Sequence, residues 1–132
     1  MSIKFNFPKK EKLKSVKDIE MLFKKGKTIH QAPFRLIYLE KTEKNGILIN
    51  FGVSVPKKKI KLAVNRNLIK RRIREAYRLN NITLKNRLLA NQKEINVMLV
   101  YGLDKILTYQ EIENKIKVIL YRLTESFEVD SK

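Results

Sequence analysis

The segment between Glu43 and Glu75 contains no acidic residue, and this gap constrains the chain more than any other feature of its sequence. The cations in and beside the gap are Lys44, Lys57, Lys58, Lys59, Lys61, Arg66, Lys70, Arg71, Arg72 and Arg74. Solvated helices normally mix the two signs of charge, because opposite charges at short spacing stabilise each other. A segment with cations alone is therefore expected to face a polyanionic partner.

The cations after residue 62 recur at helical spacing. One row contains Arg66, Lys70, Arg74 and Arg78, and a second row beside it contains Asn67 and Arg71. Like charges four residues apart destabilise a free helix by roughly a few tenths of a kcal/mol for each pair. Phosphates between the charges would remove this repulsion. Together with the preceding lysines, Lys57, Lys58, Lys59 and Lys61, these rows form the predicted nucleic-acid surface.

The same helix, predicted from about Leu62 to Leu79, also has an apolar arc. The arc contains Leu62, Ile69, Ile73, Ala76 and Tyr77, which share one side at about 100° per residue. We expect this arc to dock on a sheet, so that the helix holds its cations rigidly on another side. A merely solvated basic helix is the competing interpretation.

The composition supports the same class of partner. The 132 residues include 30 Lys and Arg against 13 Asp and Glu, a formal net charge of +17 at pH 7. Solubility requires far less charge, so a polyanion is favoured, with nucleic acid ahead of membrane. The hydrophobic fraction of 43% is sufficient for one small core. The sequence contains no cysteine and no apolar run of membrane-spanning length, and we expect a cytoplasmic protein.

The first half of the chain predicts an arm, a helix and two strands. Residues 1–14 are expected to form a basic, extended arm, and Ser15 is the predicted N-cap of a helix that ends at Gly26. The segments 34–39 and 47–55 are rich in strand-forming residues and flank an Asn-Gly turn signal. They predict an antiparallel hairpin.

The second half predicts two more helices and a strand. Residues 83–89 suit one or two helical turns, and Ile95–Tyr101 is a predicted buried strand. Thr108 and Glu111 form a predicted capping box at the start of the last helix. The apolar stripe of this helix contains Ile112, Ile116, Ile119, Leu120, Leu123 and Phe127. Residues 128–132 are a predicted polar tail.

This order of elements predicts one domain over residues 1–132. We expect an α+β fold, a sandwich in which one sheet is covered by helices.

The sequence offers no independent catalytic site. His30, the single histidine, falls in a predicted loop without a carboxylate partner, so a surface role is favoured over catalysis. Glu111 and Glu113 point to different faces of a helix and do not form an acid–base pair. The sequence has neither a phosphate-binding glycine loop nor the spacing of zinc ligands.

Two ordered stretches, Gly52–Lys58 (GVSVPKK) and Ala63–Arg78 (AVNRNLIKRRIREAYR), resemble the bacterial ribonuclease P protein component. Lys12 and Leu13, the LFKKG segment that ends the first helix, and the phenylalanine at 34 also agree with this family. The resemblance spans nearly the whole chain. One departure is Leu68, where the family commonly has an arginine, so one cation of the family's RNA-contacting set is missing.

The resemblance implies a subunit of a ribonucleoprotein enzyme whose chemistry is carried by the RNA. In this family, the RNA removes the 5′ leader of precursor tRNA with Mg²⁺ that it mainly holds itself. The implied partners are ribonuclease P RNA and precursor tRNA, with no small-molecule substrate and no membrane. The implied fold is a two-layer α/β sandwich with a mainly antiparallel sheet and a left-handed βαβ crossover, as in ribosomal protein S5 domain 2. General rules would predict the opposite handedness.

The resemblance also assigns roles to residues. The helix positions that would face the catalytic RNA or its substrate are Arg66, Asn67, Lys70, Arg71 and Arg74. A groove for the leader would lie between the first helix, the sheet and this helix, lined by Ile19, Phe23 and Ile37. Phe23 matches an aromatic that could stack on a leader base, a contact worth about 1–3 kcal/mol. Its position on an apolar stripe equally fits a core role, so both interpretations stay open.

Three other classes of function fit parts of the sequence. A structural RNA-binding protein of ribosomal type would have the same size and charge. A DNA-binding helix-turn-helix would need a second helix before Lys57, where the sequence predicts a strand. Peripheral membrane binding would need the apolar arc that is expected to dock on the sheet.

Overall fold

The computed structural model describes residues 9–127 of the chain. Most of the predicted arm, residues 1–8, and the predicted tail, residues 128–132, lie outside the described residues. The elements are a 3₁₀ turn at Lys9–Glu11, α1 (Val16–Lys25), β1 (Lys27–Gln31), β2 (Phe34–Glu40), β3 (Ile49–Ser54), α2 (Ala63–Asn80), α3 (Ile82–Ala90), β4 (Ile95–Tyr101) and α4 (Tyr109–Glu125). The predicted α+β class is confirmed, with one four-stranded sheet.

The strands lie in the order β1-β2-β4-β3. β2 pairs with β1 and β4 in antiparallel orientation, whereas β3 pairs with β4 in parallel. β4 is buried at every residue except Val100, which is half-buried. A strand covered on both faces belongs in the interior of a sheet, which explains its position between β2 and β3.

The predicted hairpin between segments 34–39 and 47–55 is wrong. Both segments are strands, but β4 lies between them. The hairpin is formed instead by β1 and β2, and the sequence does not predict β1 because its residues, KTIHQ, are mostly polar and exposed. Gly46 does adopt a left-handed conformation, with φ of 86°. The Asn-Gly signal therefore located a turn. A turn does not by itself determine that the strands before and after it pair with each other.

Gly52 allows the N-terminal segment to approach β3 closely. A Cβ at this position would lie 3.0 Å from Met98 Cε and 3.3 Å from Leu13 Cβ. The amide of Leu13 donates to the carbonyl of Phe51 at 3.1 Å, and Lys12 forms a parallel bridge with Phe51. The end of the predicted arm therefore extends the sheet beyond the edge of β3.

The connection from β3 to β4 runs through α2 and α3 and joins two parallel neighbours. It is therefore a βαβ crossover. Its left-handedness, implied by the resemblance, stays a prediction. No helix within residues 9–127 has the length and hydrophobicity needed to cross a bilayer.

The main core lies between one face of the sheet and helices α2, α3 and α4. Ile69, Ile73, Ala76 and Tyr77 of α2 are buried in it, as the apolar arc predicts, whereas Leu62 is 62% exposed. Leu62 occupies the N-cap position, before the helix is close enough to the sheet to bury it. The buried arc therefore begins at Ile69, about two turns later than predicted.

Helix α1 covers the opposite face of the sheet. Its Leu22 packs with Ile37 and Met98 in a second, smaller core, against which Ile19 is partly buried. The helix begins as predicted, because the Ser15 side chain accepts a hydrogen bond from the Asp18 amide at 3.3 Å. The sandwich therefore has helices on both faces of the sheet.

The predicted start of the last helix is confirmed, and five residues of its predicted stripe are buried: Ile112, Ile116, Ile119, Leu120 and Leu123. The stripe is wrong at Phe127, because α4 ends at Glu125 and Phe127 lies beyond the helix, partly buried against the main core. Thr108 Oγ1 accepts from the Glu111 amide at 3.2 Å, and Glu111 Oε1 accepts from the Thr108 amide at 3.0 Å. These hydrogen bonds hold the pKa of Glu111 below its usual value. This arrangement completes the capping box and shows that Glu111 has a structural role.

A substitution at Gly26, at the C-terminal end of α1, tests how closely this helix packs on the sheet. A Cβ at Gly26 would collide with the Leu22 carbonyl oxygen and lie 2.6 Å from Ile37 Cγ2. We expect Gly26→Ala to lower the free energy of unfolding by about 1–3 kcal/mol, because backbone atoms must move. Gly52→Ala is the matched control, since the atom nearest its new Cβ is the flexible end of Met98. Urea unfolding should give the larger loss for Gly26→Ala, and equal losses would contradict this account of α1.

Candidate nucleic-acid interface

The loop between β3 and α2 presents its lysines to solvent. Lys57, Lys58 and Lys59 form an exposed turn. Arg66 Nη1 of α2 donates to the carbonyls of Ile60 and Lys61, at 2.9 and 2.7 Å. These two bonds hold the loop against the helix. The predicted row residue Arg66 therefore orders the loop that bears the lysines.

The rows on α2 lie beside its buried arc. Asn67 and Arg71 are exposed, and Lys70 and Arg74 are partly exposed. Arg78 instead forms an ion pair with Glu75, with Nε donating to Oε2 at 3.0 Å, and this hydrogen bonding raises the pKa of Arg78. The helix thus offers a continuous cationic face that is partly neutralised near its C-terminal end.

Lys12 completes this face from outside the helix. It lines a surface notch together with Asn67, Arg71, Arg74, Glu75 and Arg78. The sequence does not predict that Lys12 lies beside α2, because this position depends on the bridge between Lys12 and Phe51. A residue far away in sequence therefore joins the predicted surface.

Most members of the predicted surface form no ion pair with the described residues. Within residues 9–127, Arg78 is the one member of the predicted set that takes part in an ion pair. The others are Lys57, Lys58, Lys59, Lys61, Arg66, Asn67, Lys70, Arg71 and Arg74. Self-repulsion among fixed charges favours binding of a polyanion.

Arg72 has a different role from its neighbour Arg71. Its Nη1 donates to the carbonyl of Leu107 at 2.7 Å and ties α2 to the loop before α4. Part of its guanidinium is therefore engaged within the protein. Leu68 is partly buried.

The three predicted groove residues differ in accessibility. Phe23 is 52% exposed, which removes the core interpretation for this aromatic. Ile19 is partly buried, and Ile37 is only 4% exposed beneath α1. The prediction that Ile37 lines a groove is therefore wrong, because this side chain is buried under α1 and offers almost no surface to a base. Arg35 is exposed on β2 and lies on the same face of the sheet as Ile37. The sequence does not predict that this arginine lies near α1, because its position depends on how the strands pair.

The single histidine lies at the surface of the sheet. His30 is exposed in β1, not in the predicted loop, and its carbonyl accepts from Arg122 Nη1 at 2.6 Å. Within residues 9–127 there is no group of three or more His, Cys, Asp or Glu side chains that could hold a metal ion. The candidate interface therefore comprises the cationic surface of α2 and its preceding loop, together with an exposed aromatic on α1, on the other face of the sheet.

Fold and surface together define a class of protein: a small α+β domain that holds cations rigidly on one helix and the loop before it. Comparison with known families gives a specific assignment within this class. The sequence profile described as Ribonuclease P matches residues 7–124. The chain therefore belongs to the ribonuclease P protein family, as the resemblance predicted.

Individual relatives agree along most of their length. The ribonuclease P protein component of Porphyromonas gingivalis is 31% identical over 119 residues, which cover 90% of this chain and 87% of the relative. That of Citrifermentans bemidjiense is 33% identical over 123 residues, with 92% and 96% covered. Both alignments include the cationic helix and the sheet.

Solved structures support the fold. The RNase P protein of Staphylococcus aureus superposes with a TM-score of 0.69 at 23% identity, covering 89% of this chain and 98% of that protein. The RNase P protein from Thermotoga maritima gives 0.67 at 21% identity, with 84% and 96% covered. At this level of identity, the likeness establishes the architecture.

Substitutions of two adjacent arginines are expected to separate RNA binding from folding stability. Arg71→Ala removes an exposed cation and should flatten the slope of log affinity against log salt for RNA by roughly one unit, with the melting temperature unchanged. Arg72→Ala removes the bond to Leu107 and should lower the free energy of unfolding by about 1–2 kcal/mol. Salt titrations and thermal melts of both variants check this. If the two variants behaved alike in both measurements, the division of roles would be refuted.

Proposed function

We propose that this chain binds the catalytic RNA of ribonuclease P and the 5′ leader of precursor tRNA, and so promotes Mg²⁺-dependent removal of the leader. Family membership supports its role as the protein component of this endoribonuclease. The observation that carries the RNA-binding part is the cationic surface from Lys57 to Arg74, which forms no ion pair with the part of the chain that the structure describes.

The physical basis of the proposal is charge neutralisation by fixed groups. Two RNA molecules repel each other through their phosphates, and cations placed between them reduce this cost. Arg71 and Arg74 are attached to a helix that is anchored by its buried face, so they lose less conformational entropy on binding than cations on a flexible tail. Guanidinium groups suit bidentate phosphate contacts, and the lysines of the loop act as point charges.

The proposal places the metal ions on the RNA. The described residues do not fit a protein-held metal site, because their acidic and histidine side chains do not cluster. We accordingly assign to the protein the binding and orientation of RNA, and to the RNA the Mg²⁺ ions and the hydrolysis. A cytoplasmic location is part of the same proposal.

Phe23 is the proposed contact for the leader beside α1. Its ring is half-exposed on a helix whose other side is fixed to the sheet by Leu22. An exposed aromatic on a rigid support can stack on an unpaired base of any identity. Ile19 would supply a smaller apolar contact one turn earlier.

Reconstitution decides between this function and a structural RNA-binding role. We expect the full chain, added to its cognate ribonuclease P RNA, to increase cleavage of precursor tRNA at low Mg²⁺ concentration, because it supplies cations that Mg²⁺ would otherwise provide. Cleavage rates measured with and without protein test this. The control is the triple variant Lys70→Ala, Arg71→Ala, Arg74→Ala, which should stimulate cleavage much less. An unchanged rate with the native chain would favour the ribosomal-type alternative.

Phe23→Ala tests the leader contact. Loss of one stacked base should weaken binding of precursor tRNA to the holoenzyme by about 1–3 kcal/mol and leave binding of mature tRNA unchanged. Because the ring is half-exposed, we expect little change in melting temperature. Binding assays with both tRNAs check this, with Val16→Ala, another exposed position of α1, as the control. Equal loss for both tRNAs would rule out a leader contact.

A further inference from the structure

Arg66 connects α2 to the turn of three lysines at residues 57–59, here called the lysine turn. Its Nη1 atom donates to the carbonyl of Ile60 at 2.9 Å and to the carbonyl of Lys61 at 2.7 Å. Each terminal nitrogen of a guanidinium carries two hydrogens, so both hydrogens of this atom are used within the protein. The side chain therefore acts on the segment between the lysine turn and the helix.

The hydrogen bonds continue from Ile60 into the lysine turn. The amides of Lys59 and Ile60 both donate to the carbonyl of Pro56, at 3.0 and 3.1 Å, and the side chain of Ile60 is buried in the main core. Arg66 thus holds the carbonyl of the same residue whose amide closes the turn. Loss of the Arg66 bonds would therefore loosen the lysine turn as well as the segment that follows it.

The link between the lysine turn and α2 buries neither of its own side chains. Lys61 is exposed, and Leu62, at the N-cap position, is 62% exposed and forms no side-chain cap. Because these side chains are not packed in the core, the direction of the link depends on hydrogen bonds to its backbone. The two bonds from Arg66 supply this constraint.

We propose that Arg66 is a positioning residue that makes the lysine turn a rigid part of the surface for the catalytic RNA. The three lysines are exposed and form no ion pair with residues 9–127. Cations on a loose turn would lose conformational entropy when they meet phosphates, whereas a turn held by Arg66 is already ordered. This inference rests on the proposed function and has Arg66 act through the turn.

The geometry of the two bonds suits an arginine and not a lysine. A guanidinium is planar and presents its hydrogens in fixed directions, whereas an ammonium group is a point charge on a flexible stem. Arg66→Lys therefore preserves the charge and removes the fixed geometry. A side chain that only contacted phosphate would retain most of its effect in this variant, but one that positions the turn would not.

A double-mutant cycle tests the coupling between Arg66 and the lysine turn. Binding of ribonuclease P RNA is measured for the full native chain, for Arg66→Lys, for the triple variant Lys57→Ala, Lys58→Ala, Lys59→Ala, and for the combination. We expect Arg66→Lys to weaken binding by roughly five- to tenfold when the lysines are present, and by less than about twofold when they are absent. Equal losses in the two backgrounds, or no loss in either, would overturn the inference.

Arg72→Lys is the matched control on the same helix. Arg72 also ties α2 to a loop, through the carbonyl of Leu107, but that loop is not the lysine turn. Its substitution should change RNA affinity by the same factor whether or not the three lysines are present. Coupling as large as that of Arg66 would show a general loosening of α2 and would refute the positioning role.

Amide hydrogen exchange in the free protein shows whether the turn itself is loosened. Arg66→Lys should speed exchange of the Lys59 and Ile60 amides by about tenfold and leave the amides of β4 unchanged. If protection fell throughout the chain, Arg66→Gln, which keeps a neutral donor, would replace it in the cycle. Unchanged exchange at both turn amides would contradict the inference.

The two proposals fail in different ways. If the native chain binds its RNA and stimulates cleavage but the cycle shows no coupling, the positioning role of Arg66 is wrong and the proposed function stands. If the native chain neither binds this RNA nor stimulates cleavage, both are wrong.

Discussion

The packing of α2 on the sheet is the contact on which the rest of the structure depends. Tyr77 stacks on Phe51 of β3 with ring centroids 3.8 Å apart and planes 2° from parallel, and Ile69 and Ile73 are fully buried. Burial of each such side chain contributes about 1.5–3 kcal/mol. Each like-charge pair on the same helix opposes this by only roughly a few tenths of a kcal/mol. The buried arc therefore outweighs the repulsion, and the helix can hold an unneutralised row of cations.

The net charge of the chain overstates the number of cations that are available to bind a partner. Several arginines donate to backbone carbonyls: Arg66 to the loop before α2, Arg72 to Leu107, Arg87 to the end of α4 and Arg122 to β1. A guanidinium has several donors and bridges elements that a lysine would hold less rigidly. The exposed part of the cationic surface is thus richer in lysine than the sequence of α2 indicates. Spacing along a helix does not reveal this division, because the acceptors lie on other elements.

Periodicity correctly predicted the elements that bury one continuous apolar stripe. It failed where the position of a strand depends on pairing with a segment that is distant in sequence. The arc of α2 and the capping box of α4 are local patterns, and both are present. The hairpin prediction failed because β4, about fifty residues later in the chain, enters between the two strands. Strand β1 has too few apolar residues to be noticed, and its place depends on β2. At the site, the exposure of Phe23 and the burial of Ile37 depend on how α1 crosses the sheet.

The start of α2 lacks the side-chain cap that stabilises the first turns of α1 and α4. α1 and α4 begin with side-chain caps from Ser15 and Thr108, whereas α2 begins at Leu62 without a side-chain cap and without an acidic residue in its first turn. A cap typically contributes about 1 kcal/mol. An aspartate at this position would supply it, but its carboxylate would lie next to Lys61 and the loop lysines and would reduce the local positive potential. The same reasoning accounts for the acid-free segment as a whole: the core stabilises α2 sufficiently that its exposed residues can serve the binding of a polyanion.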